Sequence, residues 1–151
     1  MWKVILVICL AVAIPAAWFG ESRRFYCLSS GRCMTVWKTY NNVCYIIPGK
    51  YYGLVRPTNG YMQCSNTNLI TFYFSSELPD AIIYQSGYDV KIYSDSLNPI
   101  KFYDFSIDTS GYLKILYLPT ARRRSDLKPD AELMDINIRE EYAADRTGKH
   151  L

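Results

Sequence analysis

The chain has 151 residues, of which 50% are hydrophobic and 15% aromatic, and it carries 17 basic and 14 acidic side chains. This length fits one ordinary domain but not two, and so high an aromatic content argues against an intrinsically disordered chain. The net charge of +3 is small and scattered along the sequence, and therefore gives no argument for nucleic-acid binding.

The N-terminus contains an apolar run, Val4 to Gly20, that has no charged side chain and is followed by Arg23 and Arg24. As a helix, the part from Val4 to Phe19 would extend roughly 24 Å. This is a little less than the hydrocarbon core of a bilayer, which is about 30 Å thick. We predict one N-terminal hydrophobic helix within residues 1–24, and a location in the cell envelope.

Two interpretations of this helix stay open. Small residues at Ala16 and Ala17 permit cleavage there as a signal peptide, which would release a secreted or periplasmic domain. Trp2 and Trp18 stand one at each end of the run, which favours a retained single-pass anchor because aromatic rings prefer the membrane interfaces.

Four cysteines follow this run closely, and an even cluster after an export-like segment is typical of disulfides in an oxidising compartment. Three connectivities are possible. We favour Cys27–Cys33 and Cys44–Cys64, because the first pair brackets the turn-prone Ser29-Ser30-Gly31. Buried free thiols are the alternative. A zinc site is disfavoured because the sequence has no CxxC motif and its one His lies in the tail.

The middle of the chain shows short apolar or alternating segments separated by turn residues, which is typical of β-strands. Strands are predicted at Asn68–Ser75 and Tyr51–Val55. Three hairpins are predicted as well. The fold class is therefore all-β, a small antiparallel sandwich or barrel of seven or eight short strands.

The first hairpin pairs Met34–Tyr40 with Val43–Ile47 across Asn41-Asn42, and places Val36 opposite Ile47. The second has a two-residue loop, Ser86-Gly87. It joins Asp80–Gln85 to Tyr88–Ser94 and places Ile83 opposite Val90.

The third hairpin joins Lys101–Asp108 to Tyr112–Leu118 through Thr109-Ser110-Gly111. A three-residue loop pairs Phe105 with Ile115 and gives Gly111 the left-handed position that favours glycine. Register follows burial, so we prefer this loop to a two-residue one.

The composition changes after Pro119, so we divide the chain into a β domain (25–121) and a charged C-terminal segment (122–151). Alternation of Met134, Ile136 and Ile138 with polar residues permits one late strand, and we expect disorder after Ala144. Candidates for contact with anionic groups are Arg122, Arg123 and Arg124.

The catalytic inventory is small, because the only His is His150 and no nucleophile-elbow, phosphate-loop or dinucleotide motif occurs. Asp104 and Asp108 would lie on one face of a strand about 13 Å apart, which is too far for glycoside hydrolysis. The sequence thus predicts a protein that is not an enzyme, with no cofactor and no metal.

Tyrosine is abundant, with 14 residues, and several fall on predicted outward faces or in turns. Tyrosine offers a large contact area, few rotatable bonds and a polar handle, so exposed clusters are suited to recognition. Cross-strand stabilisation is the alternative role. The partner-binding candidates are Tyr45, Tyr51, Tyr52, Tyr84 and Tyr93.

The function expected from the sequence is that of an exported, membrane-anchored, non-enzymatic β domain that binds another protein through a tyrosine-rich face. An immunity-type or envelope binding protein is one concrete form. The alternative is a structural or accessory subunit of a membrane complex, and a carboxylate-dependent hydrolase is the least favoured. The expected partners are a protein and, through residues 4–20, a membrane, with no nucleic acid.

Overall fold

The structure is a computed structural model that describes residues 2–3, 21–94, 99–119 and 126–151. It is mostly β, with 45% of residues in strands and 9% in helix. The N-terminal hydrophobic helix was predicted within residues 1–24, and its apolar run at 4–20 lies outside the described residues, as do the three candidate arginines at 122–124. Ser22 to Arg24 belong to the first strand. Within the described ranges, no helix is both long and apolar enough to cross a membrane.

The strands form two sheets of five. The first sheet has the order β1-β2-β3-β4-β7 and contains Ser22–Cys27 (β1), Cys33–Lys38 (β2), Val43–Pro48 (β3), Tyr61–Ser65 (β4) and Lys91–Tyr93 (β7). The second has the order β10-β9-β5-β6-β8 and contains Leu69–Phe74 (β5), Ala81–Ser86 (β6), Lys101–Asp104 (β8), Glu132–Asn137 (β9) and Tyr142–Asp145 (β10).

The predicted β class is confirmed at this level, but two details differ from the prediction. The described residues contain ten strands instead of seven or eight. The second sheet is also mixed, because β6 and β8 run parallel.

The main core lies between the two sheets. Alternate residues of β5, namely Ile70, Phe72 and Phe74, all belong to it, as the predicted strand Asn68–Ser75 implied. They pack with Met34 of β2 and Ile46 of β3 from the first sheet. Burial of both sheets against each other thus joins the chain into one unit.

A second, smaller core covers the opposite face of the second sheet. Tyr73 of β5 and Ile83 of β6 point into it, and the helix Thr109–Leu116 (α1) covers them with Leu116, which is fully buried. The ring of Phe105 stacks on that of Tyr73 with centroids 5.4 Å apart. The second sheet is therefore buried on both faces.

The helix α1 corrects the third predicted hairpin. Asp108 caps it, with a side-chain oxygen that accepts the Gly111 N–H at 3.0 Å. A side chain at Gly111 would collide with this carboxylate. Tyr112, Ile115 and Leu116 are spaced three and four apart, so they share one helical face toward the small core.

The second predicted hairpin is also wrong. Residues Ala81 to Tyr84 are buried without alternation, so β6 needs cover on both faces and neighbours on both edges. Its neighbours in the sheet are β5 and β8, and Tyr84 stands opposite Phe72 of β5. The chain then crosses over, and β7 pairs with β4 in the other sheet.

The first hairpin is present with a register one residue from the prediction. Val36 stands opposite Ile46, not Ile47. The reason is a three-residue loop, in which Thr39 N–H bonds to the Val43 carbonyl at 2.9 Å and Asn42 alone takes a positive φ of 62°. Tyr40 is thereby moved from the strand into the turn.

The C-terminal segment belongs to the sandwich. Its β9 lies between β10 and β5, and Met134, Ile136 and Ile138 are in the main core. The disorder expected after Ala144 is not observed, because the Leu151 N–H bonds to the Ala143 carbonyl at 2.9 Å. The predicted boundary after residue 121 therefore separates strands that share one sheet.

Glu141 ties the two sheets together at one end. It lies in the β9–β10 turn and accepts hydrogen bonds from Lys38 of β2, at 2.8 Å, and from Arg24 of β1, at 2.6 Å. The hydrogen bond from Lys38 is the largest cause that lowers the pKa of the Glu141 carboxyl, and the hydrogen bond from Arg24 is the second. The C-terminal turn is thus joined electrostatically to the first two strands.

We predict that Asp108→Ala lowers the free energy of unfolding by about 1 kcal/mol, because α1 loses its cap, whereas Asp108→Asn stays close to the parent since asparagine caps equally well. Urea unfolding of the three proteins measures this. Equal losses in both variants would contradict the role of Asp108 as a cap.

We predict that Glu141→Gln lowers the free energy of unfolding at neutral pH by about 1 kcal/mol, since two ion pairs share this partly exposed carboxylate. A lowered folded-state pKa gives stability that is present above the ordinary value of 4.5 and is lost as the pH falls through the folded value. The difference between parent and variant should therefore shrink below that pH. Glu140→Gln, at the exposed neighbouring position, serves as the control in the same pH series of urea unfolding.

Candidate functional site

The outer face of the first sheet carries a row of four aromatic rings, which we call the aromatic row. Trp37 (β2), Tyr45 (β3), Tyr61 (β4) and Tyr93 (β7) follow one another across the strands. Successive ring centroids are 6.0, 5.7 and 4.7 Å apart. The first two contacts are edge-to-face and the last is stacked, both favourable arrangements for aromatic pairs.

Exposure changes along the row. Trp37 and Tyr61 are buried, the latter with only 1% of its surface exposed, whereas Tyr93 at the sheet edge is 36% exposed. Burial raises the pKa of the Tyr61 hydroxyl, and Arg56 opposes this shift. The row therefore presents a rigid, supported ring at the β7 edge.

Arg23 and Glu21 secure the other end of the row. The Arg23 guanidinium lies 3.6 Å from the centre of the Trp37 ring, its partner in the β1–β2 register. The Trp37 indole N–H donates to a Glu21 carboxylate oxygen at 2.9 Å. This cation–π contact and hydrogen bond hold the indole in one orientation.

The β3–β4 loop (residues 49–60) folds over this face. Thr35 fastens its start, because its hydroxyl donates to the Gly49 carbonyl at 2.6 Å and accepts the Tyr51 N–H at 2.8 Å. The Tyr51 hydroxyl then donates to the Val55 carbonyl at 2.6 Å. Arg23 also donates to the Gly53 carbonyl. Hydrogen bonds at several points therefore define the path of the loop.

An open groove of about 320 Å³ lies between this loop and β1. Phe25 and Tyr52 both line it and are in contact with each other, with ring centroids 5.0 Å apart. Its lining residues are Glu21, Arg23, Phe25, Tyr51, Tyr52 and Leu54. The groove is apolar where the loop covers it and charged where the chain enters β1.

The structure brings four of the five predicted tyrosines to this face. Tyr45 and Tyr93 belong to the row, Tyr51 fastens the loop and Tyr52 is exposed at the loop tip. Tyr84 is a correction, because it is buried in the main core, where burial and the nearby Asp104 raise the pKa of its hydroxyl. Its strand β6 does not alternate, so no outward side exists for it.

Arg23 and the apolar loop residues Leu54 and Val55 were not among the sequence candidates. Leu54 and Val55 are 81% and 74% exposed. The predicted strand Tyr51–Val55 assigned these residues to a sheet, but they lie in the loop. A usable signal was present, since Gly49 precedes them and Gly53 interrupts the segment.

The first predicted disulfide is present. Cys27 and Cys33 are bonded and close the β1–β2 turn, in which Gly31 has a φ of 89°. The second predicted bond is absent, although Cys44 and Cys64 stand directly opposite each other on β3 and β4. Both are buried free thiols. The pKa of the Cys44 thiol is raised, mainly by a hydrogen bond to Cys64 and secondly by burial.

The two candidate catalytic aspartates have local structural partners. Asp104 accepts the Ser106 N–H at 2.8 Å and its hydroxyl at 2.7 Å, and Asp108 caps α1. They do not share a strand, because β8 ends at Asp104. Over the described ranges, no three His, Cys, Asp or Glu side chains are grouped so that they could hold a metal ion.

Comparison with known proteins yields no match to a family model, to a curated protein or to a solved structure.

We predict that Cys44 and Cys64 resist alkylation by iodoacetamide in the folded protein, at pH 8 as well as at pH 7, because both side chains are buried away from the reagent. Both should become labelled in denaturant without any reductant, as read by peptide mass mapping. Protection of both in denaturant, relieved only by a reductant, would show that they are bonded to each other. The peptide that carries Cys27 and Cys33 is the control, since it should need the reductant.

Proposed function

We propose that this chain is an exported, membrane-anchored, non-enzymatic β domain that binds another protein through the outer face of its first sheet. The apolar run Val4 to Gly20 would provide the anchor. The Cys27–Cys33 disulfide supports an oxidising compartment such as the cell envelope. An immunity-type or envelope binding protein fits this description.

The observation that carries the proposal is the partial exposure of Tyr93 at the end of the aromatic row, next to the buried ring of Tyr61. Interface hot spots are typically aromatic rings that are already ordered in the free protein and become fully buried in the complex. Tyr93 meets this description, because it is partly exposed and stacked within 10° of parallel on the buried Tyr61. Arg56, 5.9 Å from the Tyr45 ring and exposed, adds a cation beside the row.

Binding would place a partner against the Tyr93 end of the row. The partner would cover the side of the Tyr93 ring that faces away from Tyr61 and would form a hydrogen bond with the Tyr93 hydroxyl. Because Tyr61 already holds the Tyr93 ring by stacking, little side-chain entropy is lost on association. An acidic group on the partner could pair with Arg56.

We predict that Tyr93→Ala weakens binding of the partner by about 2 kcal/mol, or roughly 30-fold, while Tyr93→Phe retains most of the affinity. The full chain and its variants would be retrieved from solubilised membranes, and the proteins that accompany each would be quantified by mass spectrometry. Tyr40→Ala, at an exposed turn position, is the matched control.

A protein that accompanies the parent, the Tyr40→Ala variant and the Tyr93→Phe variant, but is depleted with Tyr93→Ala, is the expected result. If all variants retrieve the same proteins in the same amounts, this face does not bind them. A urea unfolding curve of Tyr93→Ala that matches the parent separates loss of the ring from loss of the fold.

A further inference from the structure

We propose that the tip of the β3–β4 loop, formed by Tyr52, Leu54 and Val55, inserts into the interface of a membrane that contains anionic lipid. The inference rests on the membrane anchoring proposed above, and it adds a second point of contact between the folded domain and the same bilayer. It concerns the β1 side of the outer face, whereas Tyr93 marks the β7 side.

The apolar side chains of the loop tip are strongly exposed. Tyr52, Leu54 and Val55 are 70%, 81% and 74% exposed within four consecutive residues. Elsewhere in residues 21–94, 99–119 and 126–151, side chains of comparable apolar size and exposure, such as Tyr40 and Ile107, occur singly. A concentrated apolar tip on a folded domain is typical of a surface that is covered by another phase or molecule.

The apolar N-terminal run leads directly into this corner of the domain. Glu21, which lines the groove beneath the loop, follows Gly20 with no linker between them. A run held in a bilayer therefore holds this corner of the domain at the bilayer surface, and the loop tip with it.

The charged side chains of the loop are all basic. The β3–β4 loop has no acidic residue, and Lys50 and Arg56 flank its apolar tip. Both basic side chains belong to exposed residues. An apolar tip between two cations matches the layered structure of a membrane interface, where acyl chains lie beneath anionic headgroups.

The hydrogen bonds of the loop support the same arrangement. Thr35 and Tyr51 hold its path, and Arg23 holds Gly53, so the tip is presented in a fixed direction. Insertion then requires little ordering of the chain, which lowers the entropic cost of the contact.

The test is photocross-linking with the full chain in vesicles made of equal parts phosphatidylcholine and phosphatidylglycerol. Tyr52, Tyr40 and Tyr88 would each be replaced by p-benzoylphenylalanine, because all three are well-exposed tyrosines and tolerate a larger ring. After irradiation, mass spectrometry reports lipid adducts at each position. We expect adducts at position 52 on the order of tenfold above those at positions 40 and 88.

A second variant tests the role of charge. Lys50→Glu combined with Arg56→Glu should reduce the adducts at position 52 in the mixed vesicles to the level seen in phosphatidylcholine alone. Arg146→Glu combined with Lys149→Glu, at two exposed positions in the C-terminal segment, should leave the yield at position 52 unchanged.

Each other outcome overturns the inference in a recognisable way. Lipid adducts that are equal at all three positions, or absent at position 52 in a chain that floats with the vesicles, exclude insertion of the tip. A cross-linked dimer from position 52 would instead identify a second copy of the chain as the occupant. A chain that does not float with the vesicles contradicts the anchoring itself and leaves the Tyr93 surface to be judged by its own experiment.

Discussion

The second sheet is apolar on both faces, and this constraint decides how the rest of the chain is arranged. Neighbouring residues of β6 show it directly, since Ile82 points into the main core and Ile83 into the small one. Because a sheet of this kind needs cover on each side, the first sheet covers one face and α1 the other. The outer face of the first sheet carries the aromatic row, and in the part of the chain that the structure describes the β3–β4 loop packs on this face through Tyr51.

The positions of strands could be predicted from sequence more readily than their neighbours could. Ile70, Phe72 and Phe74 alternate toward the main core, and β5 was located correctly although Tyr73 on its other face lies in the small core. In β6 the run Ala81 to Tyr84 is apolar throughout, which identifies a strand but not its neighbours. In α1 the sequence fits both structures, because Leu113 and Ile115 alternate as on a strand face, whereas Tyr112, Ile115 and Leu116 are spaced as on a helical stripe. Only the need to cover Tyr73 and Ile83 decides between them.

The candidate site was predictable in composition but not in geometry. Four of the five candidate tyrosines reach one face because their strands alternate or because they follow β3 directly. Tyr84 does not, for the reason that β6 has no solvent face. The contact of Arg23 with Trp37 depends on the β1–β2 register, and the disulfide that closes this hairpin, Cys27–Cys33, was predicted from its turn. The long-range hydrogen bonds of Thr35 carry no sequence signal.

The exposed loop tip is not required by the fold. Tyr51 and Thr35 already fasten the loop, and Trp37 and Tyr61 are buried without help from Leu54 or Val55. Polar residues at these two positions would leave both cores intact, whereas apolar ones increase the exposed hydrophobic surface of the domain. The side chains of Leu54 and Val55 carry a solubility cost that the two cores do not require, which favours a role outside the domain. Leu54 lines the same groove as Glu21, the residue that follows the apolar N-terminal run, and this position agrees with the membrane contact proposed above.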